Sequence, residues 1–239
     1  PLIEGTRFRY RDARDVVAEF AEGVRLGAHY FFIVDSVFNT SPDHVTAVCE
    51  ELIRRELSVD WCCFLRPDAV GDLLMALMAR AGLKHVEFGS DSFSDSVLDA
   101  YGKGFTFDDI LQSSRAARKH RVHYAHFLIA GGPGETEQTL HEGFDNARQL
   151  RRTVVFPYIG MRLYPGTRLY DRAVHEGVVD KDAVLIEPFY YITPNLSEAR
   201  IREILQGFAA EARNWIVGEL PPELEAITRK LRSRGVEGP

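Results

Sequence analysis

Five segments of this sequence place polar side chains or bare backbone directly after a short apolar run. Asp35 and Ser36, with Asn39 close behind, follow HYFFIV. Arg66 and Asp68 follow DWCCFL, and Gly89-Ser90-Asp91-Ser92 follow HVEF. Gly131-Gly132-Pro133-Gly134-Glu135-Thr136 closes the run that ends at Ala130. Arg162 and Tyr164, then Pro165-Gly166-Thr167, close the fifth. Carboxylates accept hydrogen bonds from hydroxyls and amines, and an arginine forks onto a carboxylate. Glycine lets backbone come close to a ligand. Such a set suits a ligand carrying an amine, a carboxylate and a ribose. Each member also has an ordinary reading: Gly131–Gly134 as a strand-to-helix turn, with Glu135 favouring the helix N-terminus, Asp35 as a cap, Asp91 as a turn former, Arg66 as a solvated loop residue.

The runs that carry these residues alternate with amphipathic stretches. Helices are expected over residues 12–26, closed by Gly27, and 41–57, with Ser41 as cap and Pro42 at the first position. Further helices are expected over 69–81, 94–101, 106–120 and 135–151. Strands are expected over 29–34, 60–65, 85–88, 121–130 and 153–163, the last broken by Pro157. Continuous apolar strands separated by helices imply a parallel sheet with helical crossovers. Ligands of such folds gather at the carboxyl ends of the strands, where the five polar segments lie. A curved barrel-like sheet and an open doubly wound sheet both fit this spacing. Residues 196–217 read as helical and a last helix follows Pro221-Pro222, so one domain with a helical C-terminal extension is expected.

Composition bounds the function. The 239 residues are 45% hydrophobic and 27% charged, with a formal net charge of −6. That balance is globular and argues against a general electrostatic footprint for nucleic acid. No apolar run approaches the roughly 20 residues of a membrane span, and a cytoplasmic location is the default expectation. Cys49, Cys62 and Cys63 are too few and too closely set for a disulfide framework. The adjacent pair sits in a strand, on opposite faces, and reads as buried reduced thiols. His120, His123 and His126 straddle a helix end and a strand start and read as core or surface. Tyr190-Tyr191 reads as an aromatic loop, either packed or covering a pocket.

Taken in order, the strand-end segments resemble the radical S-adenosylmethionine (SAM) superfamily, especially its cobalamin-associated branch. The most specific pair is Gly131-Gly132-Pro133-Gly134-Glu135-Thr136 and Pro165-Gly166-Thr167-Arg168-Leu169-Tyr170. Residues 1–11 look like the stretch after that family's CxxxCxxC loop, and Phe31–Asn39 is similar to its second-strand motif. Gly89-Ser90-Asp91-Ser92 looks like its Gly-Ile-Glu-Ser segment, followed by Lys103-Gly104-Phe105-Thr106.

The resemblance implies an α/β fold, a partial (β/α)6 TIM-like barrel of parallel strands with helices outside, over residues 1–170. Residues 171–239 would be a mostly helical extension. Its first strand and cluster loop would lie upstream of Pro1. By the same resemblance, Val34, Asp35 and Ser36 meet the SAM amino group and Asp91 accepts from the ribose hydroxyls. Ala130, Gly131 and Gly132 pass beside the adenine. Arg66 is the candidate carboxylate partner by position and charge, and Arg162 is a further cofactor-binding candidate. The implied cofactors are SAM, a [4Fe–4S] cluster ligated outside this chain, and possibly cobalamin on an upstream domain. Reductive cleavage of SAM would drive radical chemistry such as methyl transfer or ring modification of a small-molecule substrate, with an electron donor as partner. Two other readings stand beside it: an ordinary (β/α)-barrel lyase or isomerase, and a non-catalytic barrel serving as a scaffold.

Overall fold

Several helices begin where the sequence supplies a capping side chain. In the computed structural model, which describes residues 7–219 and 222–234, helix α1 (Ala13–Arg25) starts at Asp12, whose carboxylate accepts from the Arg14 N–H. Strand β1 (Tyr30–Ile33) follows the Gly27 turn, and α2 (Pro42–Arg54) starts at Ser41, which accepts from the His44 N–H. Then come β2 (Asp60–Leu65), α3 (Asp72–Arg80), β3 (Leu83–Asp91), α4 (Asp95–Ala100), α5 (Phe107–Lys119) and β4 (His123–Ala130). The order continues with α6 (Glu137–Ala147), β5 (Val154–Ile159), β6 (Met161–Arg162), α7 (Arg168–His175), β7 (Tyr190–Tyr191), α8 (Glu198–Glu211) and α9 (Pro222–Arg232).

Strands β1 to β5 form one parallel sheet in chain order, β1-β2-β3-β4-β5. That order decides between the two architectures open from the sequence. A doubly wound sheet reverses direction at a switch point, whereas right-handed crossovers between successive neighbours set every helix on one face. The packing agrees. Trp61, Cys63, Leu65, Val86 and Phe88 point into a core with α1, α2, α3 and α5, and Leu128 and Val155 into a second with α6 and α8. The opposite face carries Phe32, Phe64, Glu87, Phe127 and Tyr158, and no helix of the described residues shares a core with these side chains. Cys62 and Cys63 are both buried, Cys63 in the helical core and Cys62 outside it.

Two differences from the sequence reading have physical causes. The run 153–163 divides at Gly160 (φ 83°), not at Pro157. Pro157 pairs with Leu128 on the outermost strand of the sheet, the place where a missing N–H is tolerated. The outer edge of β5 is partly covered from the C-terminal side, where the Ile216 N–H donates to the Val155 carbonyl and the Val155 N–H to the Asn214 carbonyl. Tyr190-Tyr191 is not a loop but β7, antiparallel to β6, with Tyr191 fully buried in a small satellite core.

Candidate active site at the carboxyl ends of the strands

The end of β3 is built around a buried histidine. His126 on β4 is caged by Phe88, Phe93 and Tyr124, with ring centroids at 5.4, 5.3 and 5.6 Å. The Ser114 hydroxyl donates to the Ile110 carbonyl at 2.6 Å, so toward His126 Nε2 (3.2 Å) it accepts. Nε2 therefore carries the proton, and Nδ1 accepts from the Ser90 hydroxyl at 2.8 Å. Burial pushes the imidazole down to about 3, so it is neutral. This chain anchors Ser90, the residue before Asp91.

Asp91 then leaves the strand at φ 60°, a left-handed conformation that aspartate tolerates better than most residues. The register of β3 against β4 shifts between Gly89 and Asp91. Burial raises the Asp91 carboxyl, and an ion pair with Lys103 Nζ opposes that rise. The Asp91 side chain keeps 18% of its exposure, so a ligand can reach it. Gly89 has nothing within 4 Å of where a Cβ would stand, which leaves open space at that point of the strand.

The glycine turn is bolted from below. The Tyr101 hydroxyl donates to the Ile129 carbonyl at 2.9 Å and accepts from the Gly132 N–H at 3.1 Å. A Cβ on Gly132 would lie 2.3 Å from that oxygen, so only glycine fits. Glu135 does not serve the start of α6, because Thr136 is the cap. It folds inward, accepting from the Gly131 N–H (3.3 Å) and the Thr139 hydroxyl (2.8 Å). Burial raises its carboxyl to about 7.

The other expected residues sit around this centre. Val34, Asp35 and Ser36 are exposed just past β1. Arg66 forks onto Asp68 at 3.0 and 2.7 Å, donates to the Lys103 carbonyl at 3.0 Å, and lies over Phe105. The Asn39 amide pairs with both the N–H and the carbonyl of Arg66, each at 2.9 Å, tying the ends of β1 and β2. Arg162 lies on the separate β6–β7 ribbon, over the Tyr164 ring. Lys103, Tyr101 and His126 carry no sequence signal that assigns them to the site. The spacing Asp91-x11-Lys103 carries no local signal, and only the return of the α4–α5 loop joins them. Among the described residues no group of three His, Cys, Asp or Glu side chains could hold a metal. Among them, too, no helix is long and apolar enough to cross a membrane.

The sequence profile of the Radical SAM superfamily matches residues 3–146. The chain belongs to the radical SAM superfamily. It is 28% identical over 179 residues to tryptophan 2-C-methyltransferase of Streptomyces laurentii, covering 69% of this chain and 30% of that protein. It is 28% identical over 144 residues to the anaerobic magnesium-protoporphyrin IX monomethyl ester cyclase of Rubrivivax gelatinosus, covering 59% and 26%. The structure of the radical SAM methyltransferase TsrM from Kitasatospora setae, solved with cobalamin and a [4Fe–4S] cluster, superposes with a TM-score of 0.82 at 21% identity. It covers 98% of this chain and 53% of that one. Methylornithine synthase superposes at a TM-score of 0.53 and 13% identity, over 99% and 77% of the two chains. The fold is thus the partial TIM-like barrel of this superfamily. The chain spans about a third or less of the curated relatives' length and about half of the TsrM chain.

Proposed function

We propose that this chain is the SAM-binding barrel of a radical SAM enzyme that modifies a small molecule, by methyl transfer or ring chemistry, in concert with a cobalamin-binding domain and an electron donor. The observation that carries the proposal is the Asp91 carboxylate, placed at the end of β3 next to Ser90, which the His126–Ser114 chain anchors, and keeping 18% of its exposure for a ligand. Bound SAM and a [4Fe–4S] cluster would supply one-electron cleavage chemistry. Cluster ligation falls to cysteines other than Cys49, Cys62 and Cys63, which are buried.

The residues of the chain bind and orient. Asp91 accepts from the ribose hydroxyls, and the ion pair with Lys103 opposes the rise that burial imposes on its carboxyl. The backbone of Ala130 to Gly132, fixed by Tyr101 and Glu135, forms a wall for the adenine. Val34, Asp35 and Ser36 receive the amino group. Arg66 acts through Lys103, whose carbonyl it holds, and meets a ligand carboxylate only by opening its pair with Asp68. Arg162 serves an arm of the ligand that reaches the β6 end.

The test is SAM affinity by calorimetry on the cluster-reconstituted full-length protein. Charge-assisted hydrogen bonds of about 1.5–3 kcal/mol predict that Asp91→Ala weakens binding roughly 10- to 150-fold. Asp99→Ala, on the exposed side of α4, should leave it unchanged. Equal affinities for the two variants would refute the ribose role of Asp91.

A further inference from the structure

The amino ends of β4 and β5 gather positive charge on a chain whose formal net charge is −6. Arg118 and Arg121 flank the turn from α5 into β4, Arg151 and Arg152 lie in the turn into β5, and Arg213 follows α8. Hydrogen bonds tie these turns into one surface. The Tyr124 hydroxyl donates to the Arg151 carbonyl at 2.5 Å and the Thr153 hydroxyl to the Tyr124 carbonyl at 3.1 Å. The Asn214 amide donates to the Thr153 carbonyl at 3.1 Å. Burial raises the Tyr124 phenol, and the Arg118 charge beside it opposes that rise.

All five arginines are exposed. Among the described residues none of their guanidinium groups meets a carboxylate, because the nearby acids are engaged elsewhere. Asp72 pairs with Lys119 and His120, and Asp145 and Glu211 pair with Arg148. The dipole of α5 favours Arg118 in its last turn, but Arg151 and Arg152 lie well past Ala147, the end of α6.

Backbone strain marks the same surface. In the turns that enter β1 and β3, the left-handed position after the helix is filled by Gly27 (φ 94°) and Gly82 (φ 102°). The turns into β4 and β5 place Arg121 (φ 60°) and Arg152 (φ 59°) in that conformation. A side chain is strained there and glycine is not. The two arginines form no ion pair that offsets the strain, and like charges set close together repel. Strain and repulsion without compensation inside the chain point to a partner outside it.

We infer that this amino-end surface docks a protein partner that presents clustered carboxylates. Planar guanidinium groups fork onto carboxylates with matched geometry. Single-stranded nucleic acid fits less well, because it stacks its bases on exposed aromatic rings, and Tyr124 and Trp215 at this surface are buried. Strand β4 runs His123–Ala130, so the surface lies about 25 Å from the carboxyl-end rim. The partner can sit on the barrel while the rim stays open, and the inference is independent of the proposed function.

The experiment measures binding of fluorescein-labelled poly-L-glutamate to the full-length protein by anisotropy, beside a labelled single-stranded oligonucleotide of equal charge. Wild type should bind polyglutamate more tightly than the oligonucleotide, with an affinity that falls as salt rises. Arg121→Gly combined with Arg152→Gly should weaken polyglutamate binding about 10-fold or more. The same double variant should melt at or above the wild-type temperature, because glycine relieves the strain. Arg202→Gln, near the start of α8 and paired with Glu198, should bind like wild type. Wild type that ignores polyglutamate, tighter binding of the oligonucleotide, or unchanged affinity in the double variant would overturn the inference. A double variant that melts well below wild type would make the arginines structural and overturn it equally.

Discussion

Replacing His126 by leucine isolates the element on which the rim is built. In His126→Leu the apolar cage of Phe88, Phe93 and Tyr124 still closes around a side chain of similar size. Ser114 keeps its bond to the Ile110 carbonyl, so it stays satisfied as a donor. Ser90, fully buried, loses its acceptor. A stranded hydroxyl costs about 1–3 kcal/mol and the lost bond to Ser114 about 1 kcal/mol, so the variant should be about 2–4 kcal/mol less stable near neutral pH. Adding Ser90→Ala should restore most of the stranded-donor share.

The pH dependence sharpens this. His126 titrates at about 3 in the fold against 6.5 for the ordinary group, so between those values the unfolded chain binds a proton that the native one does not. Stability from this residue is present above the unfolded value and is lost as pH falls through the window, at about 1.4 kcal/mol per pH unit. The gap between wild type and His126→Leu should therefore shrink by about 3 kcal/mol from pH about 7.5 to about 4.5. Urea unfolding of both proteins at the two pH values measures it. Parallel loss of stability in both proteins would refute the neutral, caged histidine and the hydrogen-bond direction deduced from it.

Glu135 predicts the opposite slope. Its carboxyl is raised to about 7 from 4.5, so its share of stability is present at acid pH and lost as pH rises through that window. Glu135→Gln should flatten this loss, seen as an advantage over wild type in the urea midpoint that grows from acid to neutral pH; a constant difference would sink the idea. Gly132→Ala should cost about 1–3 kcal/mol by driving Tyr101 off the turn. Gly207→Ala, in α8 with no atom within 4 Å of its Cβ, should instead stabilise by about 0.5–1 kcal/mol in thermal melts.

The order of strands β1 to β5 and of the helices between them is legible in the sequence, because local signals suffice for it, whereas α7 and the β6–β7 ribbon are not. Ser41-Pro42 opens α2 and Gly27 closes α1 as their chemistry dictates. The DWCCFL run, apolar after Asp60, forms β2 with the bounds read from it. The strand-end rule also located the rim, since parallel strands present their carboxyl ends together whatever the sheet's curvature. Only tertiary structure decided the rest. The choice between a barrel and a doubly wound sheet depends on which strands are neighbours, and no local pattern encodes that. The break at Gly160 instead of Pro157 depends on β5 being the outermost strand, where a proline is tolerated. Lys103 meets Asp91, and Tyr101 meets Gly132, because α4 and the loop after it fold back across the sheet end. His126 is a core histidine, one of the two readings its sequence allows, whereas Glu135 is not the helix-start acid its position suggests. Burial beside particular serines and backbone amides gave each of them a different task, since a side chain's protonation is set by what surrounds it in space, not by its neighbours in sequence.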